Sequence, residues 1–212
     1  MSHLLTITNA IVLLTVLVSM MLMDDRRRKA DWLFLPVVIS QHNQWYRFLS
    51  SGLIHADGMH LFINMFVLWS FGNALEQSYF PAYLEGGVSF KFLLLYLSGI
   101  VIASIPSYLR HKNDPSYAAL GASGGVSAVV FAVILFAPWQ NLYLYGVIAI
   151  PQILAGIAYL VYSWMKDKKA NDSIGHLAHF SGAVWGLVFP CLMEPKLVGH
   201  FVKATLAGPN WL

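Results

Sequence analysis

Six apolar stretches of near-membrane length dominate this chain and decide what it can fold into. They run over about residues 4–23, 59–76, 89–107, 118–137, 142–164 and 176–193. No Asp, Glu, Lys or Arg lies well inside any of them, and Glu76 sits at the end of the second. Six membrane helices of about 20 residues each use about 120 residues. That is almost the whole apolar inventory of a 212-residue chain that is 58% hydrophobic and 11% charged, where a soluble domain carries about 25% charge. A disordered chain, a disulfide scaffold and an ordinary soluble enzyme are thereby excluded. The lone Cys191 forms no internal bridge, and a scattered net charge of +3 gives no footing for nucleic acid. The expected fold is an all-α membrane protein with six transmembrane helices in one domain over residues 1–212. Its expected location is integral and multi-pass, in the cell membrane if the source is bacterial, with the lipid bilayer as its solvent.

The first stretch is a membrane helix rather than a signal peptide: its basic cluster, Arg26-Arg27-Arg28-Lys29, follows the apolar core instead of preceding it. The connection over 24–58 is too long for a plain turn. It is rich in aromatic and apolar residues such as Trp32, Phe34, Trp45 and Phe48, which suits the membrane interface. Pro81 with Gly86-Gly87, the stretch from Pro106 to Pro115, Pro138 and the polar run 166–173 separate the remaining helices.

Polarity inside the spans concentrates in the second, fourth and sixth, as His60 and Asn64, Ser123, and His176 and His179. Polar side chains at membrane depth are costly and face a bundle interior or a wet cavity. Gly121-Ala122-Ser123-Gly124-Gly125 opens the fourth span, with Ala128 and Ala132 continuing a small-residue stripe. Two readings follow: a tight packing stripe with an incidental serine, or a nucleophile near a helix start, where backbone N–H groups favour negative charge. His179 is followed by Gly182 and Gly186, a spacing that lets its helix pack closely on the small-faced fourth. Such packing brings His179 within reach of Ser123, and a serine needs an adjacent base to become nucleophilic. His179 also has the plainer reading of polar glue between helices. His176, nearer the surface, suits a solvated or supporting role. His60 and Asn64 share one helical face and can donate to an oxyanion, or else pair between helices. His55 precedes that helix and orders the loop. No carboxylate lies at depth, so the arrangement is a Ser–His dyad.

Together these residues resemble the rhomboid family of intramembrane serine proteases. The resemblance rests on Trp45-Tyr46-Arg47, His55, the segment from His60 to Asn64, Gly72 through Glu76, Gly121-Ala122-Ser123-Gly124, and Ala178-His179-Phe180-Ser181-Gly182 with Gly186. It implies a six-helix rhomboid-like bundle with a long interfacial first loop. It implies Ser123 as nucleophile and His179 as base and acid, with His60, Asn64 and the Ser123 N–H as oxyanion donors. Arg47 would brace the site, with His55, Gly121 and Gly182 in support. Tyr46 stands where the family commonly has Trp. Ser127 stands where some members carry an aromatic under the histidine ring, and Phe180 or Phe131 are candidates to replace it.

The expected reaction is cleavage of transmembrane or juxtamembrane segments of membrane proteins, with no cofactor and no metal. An inactive relative that binds membrane helices without cutting is the alternative. A histidine metal site (His55, His60, His176, His179) lacks the His-Glu-x-x-His pattern and a nearby acid, and a transporter lacks inverted repeats. With a fourth helix starting near Ala118, Ser123 would lie about 8 Å along its axis. Sidedness has two answers. Ten of the 13 Lys and Arg lie in loops on the site's side, which the positive-inside rule puts in the cytoplasm, whereas the resemblance faces the site outward.

Overall fold

The computed structural model describes residues 6–144, 147–168 and 176–209. Its long helices are α1 (Ile7–Leu22), α5 (Gly58–Ala74), α7 (Val88–His111), α8 (Ser123–Phe136), α9 (Gln152–Lys168) and α10 (His176–Met193). Among the described residues, α7 is the one helix long and apolar enough to cross a membrane by length and composition; the other apolar helices are shorter. Each expected stretch contributes one of these helices.

Helix α8 is the axis of the molecule. Every residue from Gly124 to Phe136 except Val130 is buried, and α5, α7 and α10 pack around it. Lipid is as apolar as leucine, so no hydrophobic force drives helix against helix there; close van der Waals fit must do so instead. Small residues supply that fit. A methyl at Gly124 would meet the Ala103 Cβ at 2.5 Å, and one at Gly99 the Ala128 Cβ at 2.8 Å. A methyl at Gly182 or Gly186 would fall on the backbone of Gly124 or Ala128. The outer faces are also apolar: Leu13, Leu17, Met59, Phe62, Phe66, Trp69, Leu97 and Val188 are exposed. Helices apolar on both inner and outer faces belong in lipid.

Helix α1 packs on α5 through a buried stripe of Thr8, Ile11, Thr15, Ser19 and Leu22. Its free N-terminal amides find an acceptor in another element. Glu76 accepts from Ile7 N–H and Thr8 N–H at 2.9 Å each, from the Thr8 hydroxyl at 3.0 Å and from the Ser89 hydroxyl at 2.9 Å. It sits in a π-helical turn, Leu75–Tyr79, that leads into the short α6 (Phe80–Tyr83).

Between α1 and α5 the chain forms α2 (Arg26–Ala30), α3 (Pro36–His42), α4 (Arg47–Ser50) and a 3-10 turn, Ser51–Leu53. The fourth helix starts later than expected. Residues 117–122 stay irregular because Phe34 pairs with Ala119 through two backbone hydrogen bonds and Gly121 takes a positive φ of 114°. The fifth stretch is not one helix. Its first part is an antiparallel hairpin of β1 (Asn141–Leu144) and β2 (Ile148–Pro151), rich in strand-favouring side chains, and α9 begins only at Gln152. Helix α11 (Lys196–Ala207) was not expected. It docks on the end of α8, with His200 Nε2 donating to the Phe136 carbonyl at 2.9 Å and Trp139 Nε1 donating to the Thr205 carbonyl at 3.0 Å. Residues 169–173 of the polar run, and the side chain of His176, lie outside the described residues.

Candidate active site

Glycine determines where Ser123 stands. With φ at 114°, Gly121 turns the chain through a conformation that L side chains rarely adopt, and a methyl there would press on the His60 ring at 2.8 Å. The loop is held from three directions. Gly121 N–H donates to the Ser51 carbonyl at 2.9 Å, Ala119 pairs with Phe34, and Ala122 N–H donates to His55 Nε2 at 3.4 Å. Helix α8 then begins at Ser123 itself, not five residues earlier. Its first helical bond joins Val126 N–H to the Ala122 carbonyl, so the amides of Ser123, Gly124 and Gly125 precede the helical ladder.

The backbone contact of Gly182 with Gly124 brings α10 alongside, and His179 lies one turn before Gly182. The result is a hydrogen bond of 2.7 Å between Ser123 Oγ and His179 Nε2. With the imidazole hydrogen on Nδ1, the hydroxyl donates and Nε2 is placed to take its proton. The packing stripe and the serine–imidazole pair are thus one arrangement: the first creates the second.

Ser123, His179, His60 and Asn64 line a single cavity of about 1230 Å³. Asn64 is buried and its Nδ2 donates one hydrogen to the His60 carbonyl at 2.9 Å, within its own helix rather than across to a neighbour. An amide nitrogen carries two hydrogens, so one remains for another acceptor. His55 lies behind them, fully buried, with its ring edge-on to His60 at 5.0 Å between centroids. Its Nε2 accepts from Ala122 and its Nδ1 lies 3.3 Å from the Ser19 hydroxyl. Burial, with smaller contributions from His60 and Lys29, pushes this imidazole down to about 4. It is therefore neutral near pH 7 and orders the loop. Among the described residues no set of three or more His, Cys, Asp or Glu gathers.

Arg47 does not line the cavity. Its buried guanidinium donates to the carbonyls of Ala30 and Leu33 at 2.9 Å each and to Gln44 Oε1 at 2.7 Å. It braces the first loop, which in turn holds residues 119–121.

Neither Phe180 nor Phe131 is the ring beside His179. Among the described residues the ring that stacks beside it is Tyr159 of α9, 6.0 Å between centroids and 27° between planes. Its hydroxyl lies 3.0 Å from the Ser127 hydroxyl. A tyrosine within a long apolar run was the available signal, but its partner lies 32 residues away in sequence and only the packing of α9 pairs them.

Comparisons with known proteins place the chain in a family. A family model described as the rhomboid domain matches residues 42–196. RHOMBOID-like protein 12, mitochondrial, of Arabidopsis thaliana is 29% identical over 150 residues, covering 64% of this chain and 42% of that protein. Rhomboid protease GluP of Bacillus subtilis is 26% identical over 165 residues, 78% of this chain and 29% of its own length. Rhomboid protease GlpG of Haemophilus influenzae is 26% identical over 159 residues, 73% of this chain and 72% of its own. The matched part also spans only 53% of Rhomboid-like protein 11, chloroplastic, of Arabidopsis thaliana, so the chain covers about half the length of these plant relatives. The family match runs over residues 42–196, well over half of the chain, so the chain belongs to the rhomboid family.

Proposed function

We propose that this chain is an intramembrane serine endopeptidase that cuts transmembrane or juxtamembrane segments of membrane proteins with a Ser123–His179 dyad. The observation that carries the reading is the 2.7 Å contact between Ser123 Oγ and His179 Nε2, within a cavity large enough for peptide and water. Two of the relatives above are named as rhomboid proteases, which supports it.

In this reading the six long helices span the bilayer. The cavity supplies the water that lipid cannot. It continues between α5 and α9, past Phe66 and Ser70 on one side and Ala155 and Gly156 on the other, which gives a substrate helix a route from lipid. Such a helix has its peptide groups paired, so the scissile bond is exposed only after local unwinding. Small or helix-weakening residues near the cut favour this. Ser123 Oγ attacks the carbonyl carbon while His179 Nε2 takes the hydroxyl proton. The tetrahedral oxyanion meets the Ser123 N–H, the second Asn64 hydrogen and His60. Collapse breaks the C–N bond, and His179 returns its proton to the leaving amine. Water, deprotonated by the same imidazole, then releases the acyl group from Ser123.

The test is cleavage of a reporter protein carrying a transmembrane segment, paired with labelling by a serine-reactive fluorophosphonate. The native chain should cleave and label. Ser123→Ala should do neither while keeping its circular dichroism spectrum. Cleavage that survives Ser123→Ala refutes the nucleophile, and a native chain that neither labels nor cuts is a helix-binding relative without activity.

A further inference from the structure

From the packing of α9 we infer that Tyr159 is the positioning residue that holds His179 in its productive orientation, and that Ser127 anchors the Tyr159 ring. This rests on the dyad reading above. A dyad leaves a problem that a three-member relay does not have. An imidazole that bonds to a serine through Nε2 must also be held against rotation about its Cβ–Cγ bond. A flat ring packed near-parallel against one face restricts that rotation. Tyr159 supplies such a ring, at 27° and 6.0 Å, within the range of offset-stacked aromatic pairs. An aromatic face also attracts the imidazolium that forms when Ser123 gives up its proton.

The ring needs an anchor of its own, and Ser127 provides it. Ser127 is buried one turn beyond Ser123 on α8, with its hydroxyl 3.0 Å from the Tyr159 hydroxyl. Position 127 cannot stack on the histidine itself, but it holds the residue that does. A chain of contacts therefore runs from α8 through α9 to α10 and back to α8: Ser127, Tyr159, His179, Ser123. Because the ring belongs to α9, which borders the gap facing α5, the base is set by the helix that a substrate must pass. Any displacement of α9 carries the ring with it.

The experiment compares the native chain with Tyr159→Leu, Tyr159→Phe and Ser127→Ala in detergent. It measures the fluorophosphonate labelling rate of Ser123, and kcat and KM on the reporter substrate. The small probe reports on serine activation without requiring a helix to enter. Tyr159→Leu should lower both labelling and kcat by about 10- to 100-fold, the scale of a misplaced catalytic group, with KM within about 2-fold. Tyr159→Phe should retain about a third or more of the native rate, because the ring remains. Ser127→Ala should match Tyr159→Phe, and the double variant should lose no more than either alone, since both cut the same hydroxyl contact. Should Tyr159→Leu fail to fold, Tyr159→Met fills the volume without a ring plane and must give the same loss. The inference is overturned if the Leu or Met variant labels at the native rate. It is equally overturned if only KM for the membrane substrate rises, which makes Tyr159 an entry residue, or if Phe is as defective as Leu. A native chain that does not label brings down the dyad reading too; a native chain that labels beside an unaffected Leu variant brings down this inference alone.

Discussion

At the scale of the residue, the proposed chemistry rests on one hydrogen-bonded pair, Ser123 with His179, and on the polar groups beside it. His60 and Asn64 line the same cavity as Ser123. Losing an oxyanion donor costs about 100- to 1000-fold in kcat, so on the proposed reading His60→Ala and Asn64→Ala should each fall in that range on the reporter substrate. Native rates for both would make them structural. His55 has a different signature. Its imidazole titrates near 6.5 in the unfolded chain and is pushed down to about 4 in the fold, by burial first, with His60 and Lys29 adding and Asp57 opposing. Between those values the unfolded chain holds more protons than the folded one, so stability rises with pH across that window and is lost as pH falls through it. The thermal midpoint of His55→Gln should vary less steeply over that range than that of the native chain; equal slopes would contradict this. That Ser123, His179, His60 and Asn64 gather in one cavity was legible from their type and order, because few polar groups stand in the apolar stretches. The contact of Tyr159 with His179 was not, since nothing local distinguishes that tyrosine from a core aromatic.

At the scale of the element, contacts between helices set the geometry of the dyad. Gly182 meets the Gly124 backbone directly, so Gly182→Ala must push α10 away from α8 or tilt it. An overpacked methyl costs about 1–3 kcal/mol, and a shift of about 1 Å at the dyad costs about 100-fold in rate. Fluorophosphonate labelling should drop on that scale while helical content stays constant. Glu76 tests the opposite case. It binds the head of α1 and the hydroxyl of Ser89 on α7, at the far end of α5 from His60. Removing a buried acceptor of several bonds in Glu76→Ala should cost about 3 kcal/mol, seen as a lower unfolding temperature, with labelling of the folded protein little changed. The spacing of Gly182 and Gly186 foretold the close helix pair. The hairpin lies in a short apolar run, which has no periodicity that separates strand from helix, whereas α11 is an amphipathic helix outside the six apolar stretches.

At the scale of the whole molecule, the remaining question is orientation. The first loop, residues 117–122 and the head of α8 lie together around the site, and the span order expected from the sequence puts ten of the chain's 13 Lys and Arg on that side. Ser116 is exposed there. In a Cys191→Ser background, Ser116→Cys should react with a membrane-impermeant maleimide on intact cells if the site faces outward. Reaction only after permeabilisation would put it in the cytoplasm, as the charge rule has it.

The amino-acid order alone determined that this chain is built of apolar helices, which few polar side chains they carry, and that small residues line two of them. Those properties are local: hydropathy, composition and helical spacing need no neighbours to be read. The tertiary structure decided where α8 starts, which atoms bind Arg47 and Glu76, and which ring lies against His179. Each of those depends on the register of segments tens of residues apart, and that register is set by backbone fit across glycine contacts, which no single helix encodes.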